Sequence, residues 1–254
     1  MTETPREVRN RRYRDYLARN PGRSYAQWLH DAAVTAVRNG SPHPTLGGNL
    51  NIGDWWDAGR PTFNRYLKLF ALQPDNKVVD YGCGSLRVGG HFIRHLNPGG
   101  YFGLDVTTGL IEVGKDLIGS ALLAEKEPRF GPIDEPSLAQ AAEFGADLIC
   151  STAVCYHVHP DEAAAYFANL ISLTAKPGAT LAFDVSLSDE PVADHALSMP
   201  IDYFIEQLRP LAFVAFHKNA AREDNKQILG IAQFRREEAP AAGKRSPANE
   251  ERRR

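Results

Sequence analysis

The chain has little sulfur and no long apolar run. Its 254 residues include three cysteines and two methionines. Cys83, Cys150 and Cys155 are an odd set, too sparse for a disulfide framework, which argues against a small stapled secreted fold. No run of about 18 apolar residues occurs, so a membrane-spanning helix is excluded on length. The N-terminus is polar and arginine-rich and lacks the apolar core of a signal peptide. A cytoplasmic location with no membrane partner is the expectation. An excess of one charge sign is missing too: 29 Lys and Arg stand against 31 Asp and Glu. No global field then favours nucleic acid or an anionic membrane, and any basic partner site has to be local.

What is present suits one sizeable core with a small appendage, since 43% of the residues are hydrophobic. Residues 1–58 read as an N-terminal helical extension. Seven arginines lie between Arg6 and Arg23, and Tyr13, Tyr16 and Leu17 share one helical face. Ser24 and Gln27 form a capping-box pattern opening a second helix that runs to Asn39-Gly40. From Ser41 to Gly59 the Gly, Pro and Asn content predicts an ordered loop around Trp55-Trp56, with Pro61 opening a third helix.

Residues 59–235 change rhythm. Short β-type runs at Lys77–Tyr81, Tyr101–Val106, Asp147–Ser151 and Thr180–Val185 alternate with helical stretches at Leu86–Leu96, Leu110–Ser120, Asp161–Thr174 and Ile201–Leu208. A weaker strand is expected near Arg129–Ile133, and Leu211–His217 and Gln227–Phe234 form a late hairpin. The pattern predicts an α/β fold: a Rossmann-like, mostly parallel sheet with a C-terminal antiparallel hairpin and helices on both faces. Residues 236–254 are charge, Ala, Gly and Pro, the composition of a disordered tail.

The run Val78-Val79-Asp80-Tyr81-Gly82-Cys83-Gly84 is an apolar strand entering a glycine turn before a helix. Such a turn admits a ligand to the backbone, and the following helix offers free amide donors. Asp80 ends this strand and Asp105 ends the next. Asp105 suits a ribose diol in either a dinucleotide or an adenosyl ligand. Asp80 separates the two, because a carboxylate beside the turn repels a pyrophosphate and favours a ligand carrying ammonium and sulfonium charge. Dinucleotide spacing also fails, since Arg87 stands where its last glycine is required.

These residues resemble the first motif of the class I S-adenosylmethionine-dependent methyltransferases, here Asp80-Tyr81-Gly82-Cys83-Gly84-Ser85-Leu86, with Leu86 replacing the third glycine of the fullest form. The resemblance runs from about Trp55 to Phe234 and looks like a bacterial small-molecule type. It implies S-adenosyl-L-methionine as cofactor. It places Asp80, Gly82, Cys83 and Gly84 at the methionine portion and Asp105 on the ribose hydroxyls. Val106 would then flank the adenine, Asp134 its amino group, and Ser151 the floor of the site.

The acceptor side rests on position alone. Segment 151–159 follows the fourth strand, where open parallel sheets gather ligands. His157 is a candidate general base, with Tyr156, Trp55 and Trp56 as candidate substrate contacts. Cys155, His157 and His159 alternate, but no second cluster completes a ligand set, so no metal is expected. The N-terminal helices read as a lid, with an oligomer contact in a homodimer as the alternative. The expected activity is methyl transfer to oxygen or nitrogen of a small molecule. An RNA or protein methyltransferase, a non-catalytic adenosyl-binding protein and an NAD-dependent oxidoreductase are the rivals. Nucleic acid is disfavoured, because Ser151-Thr152-Ala153-Val154 stands where an amino-methyltransferase signature of Asp or Asn, two prolines and an aromatic would be.

Overall fold

The computed structural model describes residues 5–39, 41, 52–106, 108–188, 197–222 and 227–237. Most of the Gly- and Pro-rich stretch after Ser41 and the tail from Glu238 therefore lie outside the described residues.

Helix α1 (Pro5–Arg19) and helix α2 (Tyr25–Arg38) form a hairpin. The capping box is formed: Gln27 N donates to Ser24 Oγ at 3.1 Å and Ser24 N to Gln27 Oε1 at 2.9 Å. Tyr13 packs among Tyr25, Trp28 and His159, and the Tyr16 hydroxyl donates to Asp31 at 2.6 Å.

Helix α3 spans Ile52–Phe70, so the expected loop ends at least eight residues earlier than read, and Pro61 lies inside the helix instead of opening it. The reason is packing. A Cβ on Gly59 would fall 1.8 Å from the Arg87 carbonyl oxygen, so this glycine marks a close helix contact where the sequence suggested a turn. Tertiary burial of Trp55, Phe63 and Tyr66 outweighs the local cost of Pro61.

Seven strands follow: β1 (Val78–Tyr81), β2 (Tyr101–Asp105), β3 (Arg129–Pro132), β4 (Leu148–Ser151), β5 (Thr180–Leu187), β6 (Ala212–Arg222) and β7 (Gln227–Arg235). They make one sheet in the order β3-β2-β1-β4-β5-β7-β6. The first five run parallel, and β7 is antiparallel to both neighbours. Helices α7 (Glu135–Glu143), α8 (Ala163–Leu173) and α9 (Ile201–Gln207) cover one face with a core around Phe167, Leu170, Phe183 and Phe204. Helices α3, α4 (Gly89–His95), α5 (Thr108–Ile118) and α6 (Ser120–Lys126) cover the other, around Trp55, Leu86, Phe92 and Ile93. Strands buried on both faces explain the unbroken apolar runs of β1, β2 and β4.

Arg236, read as the start of the tail, is docked. Its guanidinium donates to the carbonyls of Thr174 and Ile171 at the C-terminal end of α8, at 2.6 and 3.0 Å. A cation there meets the negative end of the helix.

Candidate active site

Strand order reverses between β1 and β4, and there the sheet's carboxyl edge opens a cavity of about 670 Å³. One wall is the segment leaving β1. Gly82 N and Cys83 N both donate to the Leu104 carbonyl, at 2.7 and 3.0 Å, which ties the turn to the end of β2. Gly82 and Gly84 adopt positive φ of 79° and 54°. So does Leu86, at 60°, although it carries a side chain. The replaced third glycine thus keeps a glycine-like backbone. The strain is on the order of 1–3 kcal/mol, and complete burial of the leucine side chain offsets it.

Asp105 closes this wall. It is 1% exposed, accepts from Gly84 N at 2.7 Å, and faces His30 Nδ1 at 3.0 Å. Asp80 is buried beside it and accepts from the Tyr101 hydroxyl at 2.8 Å. Burial pushes its carboxyl up to about 6, a rise that the bond from Tyr101 limits and the charge of Asp105 increases. Cys83 also lines the cavity, and burial drives its thiol well above its ordinary range. Val106 and Ile133 also line the cavity.

The opposite wall comes from α2 and from the segment after β4. Leu29, His30 and Ala33 of α2 line the cavity, and the helix start is anchored by Glu162, whose carboxylate accepts from Tyr25 N at 2.5 Å and Ala26 N at 3.3 Å. After β4, Thr152, Ala153, Val154 and His157 line the cavity, and His157 is exposed at its rim. Ala153 sits at φ 58°, and its N–H donates to Asp184 of β5 at 2.8 Å. Burial raises the Asp184 carboxyl to about 6, offset in part by that bond and by the charges of Arg65 and Arg87. A Cβ on Gly82 would lie 2.5 Å from Val154 Cγ2, so this loop packs directly on the glycine turn.

Asp80, Gly82, Cys83, Gly84, Asp105, Val106 and His157 therefore share one cavity. Ser151 is fully buried behind it and accepts from the hydroxyl of Tyr166, which does line it. Three readings need correction. Asp134 is exposed and caps α7, accepting from Ser137 N at 2.9 Å, a bond that holds its carboxyl below the ordinary range. Trp55 is fully buried in the core between α3 and α4, its indole N–H donating to Ser85 Oγ at 3.2 Å. Trp56 stacks on His91 at 4.0 Å and lies under Arg94 at 4.6 Å, on the side of α4. Both tryptophans bolt α3 to the scaffold and leave the cavity to others. The Tyr156 side chain lies outside the described residues. Cys155 is buried, while His159 packs on Tyr13 and Tyr25, so the alternating Cys and His residues do not converge.

His30, Glu162, Arg87 and Asn169 were missed as lining residues. For Glu162 a signal existed: an acid in a loop lacks meaning by itself, but an N-cap needs an acceptor, and Ser24 satisfies only one of the free amides of α2.

No family model matches the chain, and no curated protein does. Solved structures do. Magnesium protoporphyrin IX methyltransferase ChlM from Synechocystis PCC 6803, with bound SAM, superposes at a TM-score of 0.60 with 16% identity, covering 85% of this chain and 99% of its own. The [4+2]-cyclase SpnF gives 0.56 with 13% identity over 72% of this chain and 82% of that one. The N-methyltransferase NodS from Bradyrhizobium japonicum WM9, with SAH, gives 0.50 with 17% identity over 70% and 86%. The chain has the Rossmann-like fold of class I S-adenosylmethionine-dependent methyltransferases. Within that fold the similar structures include two methyltransferases and a cyclase.

Proposed function

We propose that the protein binds S-adenosyl-L-methionine and transfers its methyl group to an oxygen or nitrogen of a small molecule. The observation that carries this is the pair of buried carboxylates, Asp80 and Asp105, flanking a glycine turn inside a cavity large enough for the ligand. The residues fit the group. Asp105 would accept from the ribose hydroxyls while Gly84 N holds its other oxygen, and Asp80 would meet the cationic methionine portion. A cation there would draw the Asp80 carboxyl back toward its ionised form. The structures of ChlM and NodS, with SAM and SAH bound, support the same ligand.

The bound cofactor supplies a methyl on positively charged sulfur, and the protein's task is then alignment, which is worth roughly 7–11 kcal/mol in oriented reactions. Val154 against Gly82 fixes the acceptor loop to the donor turn. Helix α2 and Glu162 cover the cavity and exclude water. His157, at the rim, would take a proton from a hydroxyl acceptor through a ring nitrogen. Residues 1–58 act in this reading as a lid on the domain formed by residues 59–235. The same fold serves the [4+2]-cyclase SpnF, so transfer has to be tested directly: incubation with S-adenosylmethionine labelled in its methyl and a fractionated small-molecule extract. Label moving into a low-mass fraction supports transfer, whereas tight binding without transfer to any fraction overturns it.

A further inference from the structure

Among the described residues, the non-glycines at positive φ are Ala71, Leu86, Glu127 and Ala153. Ala71 and Glu127 follow the ends of α3 and α6, where a left-handed residue is a common helix stop, and Leu86 belongs to the turn after β1. Ala153, at 58°, ends no helix: it lies between β4 and a single 3-10 turn at Cys155–His157. A backbone in this region persists only where its surroundings dictate it. The bond that Ala153 makes points to one side chain. The ladder between β4 and β5 ends at the pair Ser151 and Phe183, and the next residue of β5, Asp184, takes the Ala153 N–H on its carboxylate at 2.8 Å. An acid is costly in a strand whose adjacent residues, Phe183 and Val185, are fully buried. The charges of Arg65 and Arg87 favour its ionised form, and Arg65 is fixed in turn by donating to the His217 carbonyl of β6. Asp184 does not itself line the cavity, whereas Thr152, Ala153, Val154 and His157 do.

We propose that Asp184 is the positioning residue of the acceptor loop: by holding the Ala153 N–H it keeps that residue left-handed, turns the chain off the sheet, and so presses Val154 on Gly82 and sets His157 at the cavity rim. Its effect on rate rests on the transfer reading above, while the hold on the loop is independent of it. An ionised carboxylate only accepts, and a bond to it from an amide is stronger than one between neutral groups, which suits a hold on a conformation that alanine otherwise leaves. The turn after β1 is tied instead to Leu104 and Asp105. Cofactor binding and acceptor positioning are therefore fixed by different bonds and can be separated by substitution.

The full-length chain is compared with Asp184→Leu, Asp184→Asn, and Asp184→Leu combined with Ala153→Gly. Hydrogen exchange over residues 152–158, S-adenosylhomocysteine affinity and transfer of labelled methyl to the low-mass fraction are measured, and melting curves confirm that each variant folds. Leucine keeps the volume and removes the acceptor, asparagine keeps an acceptor in its amide oxygen, and glycine takes positive φ without a side-chain penalty. The expected result is that Asp184→Leu exchanges faster over this segment and transfers roughly ten-fold more slowly, with affinity within about two-fold of wild type. Asp184→Asn should recover slow exchange and transfer, and Ala153→Gly should recover transfer in the leucine background. Wild-type exchange and transfer in Asp184→Leu, a fall in affinity that matches the fall in transfer, or failure of either recovery overturns the proposal. Should Asp184→Leu not fold, Ala153→Val decides: a β-branched side chain cannot hold φ 58°, so wild-type exchange and transfer in this variant overturn the proposal and their loss supports it. Transfer from the wild-type chain to no fraction would sink the methyltransferase reading, and the exchange measurements would still support or overturn the hold of Asp184 on the loop.

Discussion

The two walls of the cavity are built from different materials. The wall at the ends of β1 and β2 is backbone and short side chains: two glycines and a leucine at positive φ, amides bonded to Leu104 and Asp105, and carboxylates buried among them. The wall from α2 and the β4 loop is side chains projecting from elements that come together only through tertiary packing, held by Glu162 on one side and Asp184 on the other. A wall made of backbone restricts which residues can occupy it, and so leaves a pattern in the sequence. A wall made of side chains restricts only shape and charge. Structures of 13–17% identity share the fold that carries both walls.

Substitutions can break or sharpen that contrast. The largest expected effect lies behind the walls. Trp55→Ala should destabilise the protein by roughly 3–5 kcal/mol, because it empties a fully buried site between α3 and α4. If denaturant unfolding showed no loss, Trp55 would belong to the ligand surface after all.

On the first wall, Asp80→Asn should stabilise the ligand-free protein at neutral pH by up to about 3 kcal/mol, since a carboxyl raised from 3.8 to about 6 is shifted by roughly two units. The sign follows from proton uptake: between these values the folded chain binds more protons than the unfolded one. The favourable contribution of this group is full below 3.8 and is lost as pH rises through about 6. Melting of wild type and variant should converge near pH 4 and diverge above 6. Parallel curves would show that Asp80 is solvated. Asp105→Ala should weaken S-adenosylhomocysteine binding by roughly 1.5–3 kcal/mol, the value of hydrogen bonds to a charged group. An unchanged dissociation constant by calorimetry would put the ribose elsewhere. On the second wall, Glu162→Gln removes the charge at the start of α2 and, because an amide nitrogen cannot accept, one of the two bonds from Tyr25 N and Ala26 N, and should lower stability by about 1 kcal/mol. A loss as large as that of Trp55→Ala would mean that α2 is part of the core instead of a cover.

Legibility follows the same division. The strands, the late hairpin and the placement of Asp80, Gly82, Gly84 and Asp105 in one cavity were readable, because short β-type runs and glycine spacing are properties of short local segments. The capping box at Ser24 and Gln27 was readable for the same reason. The start of α3 was not: Gly59 and Pro61 are turn residues by composition, and only the close approach of Arg87 explains the glycine inside a helix. Asp134 was placed by the family resemblance alone, but helix α7 begins one residue later and takes its carboxylate as a cap. Helices α6 and α7 went unread, being short and weakly patterned. His30 and Glu162 lie 75 and 57 residues from Asp105, and nothing in a linear pattern of that length brings them to one cavity.

The central claim is that the buried carboxylates define an adenosyl-amino-acid site and exclude a dinucleotide. Isothermal titration of the full-length chain with S-adenosylhomocysteine and, separately, with NAD at neutral pH tests it most directly. The account predicts saturable one-to-one binding of S-adenosylhomocysteine and no measurable heat with NAD, whose pyrophosphate would face Asp80. Saturable NAD binding with none for S-adenosylhomocysteine would contradict it.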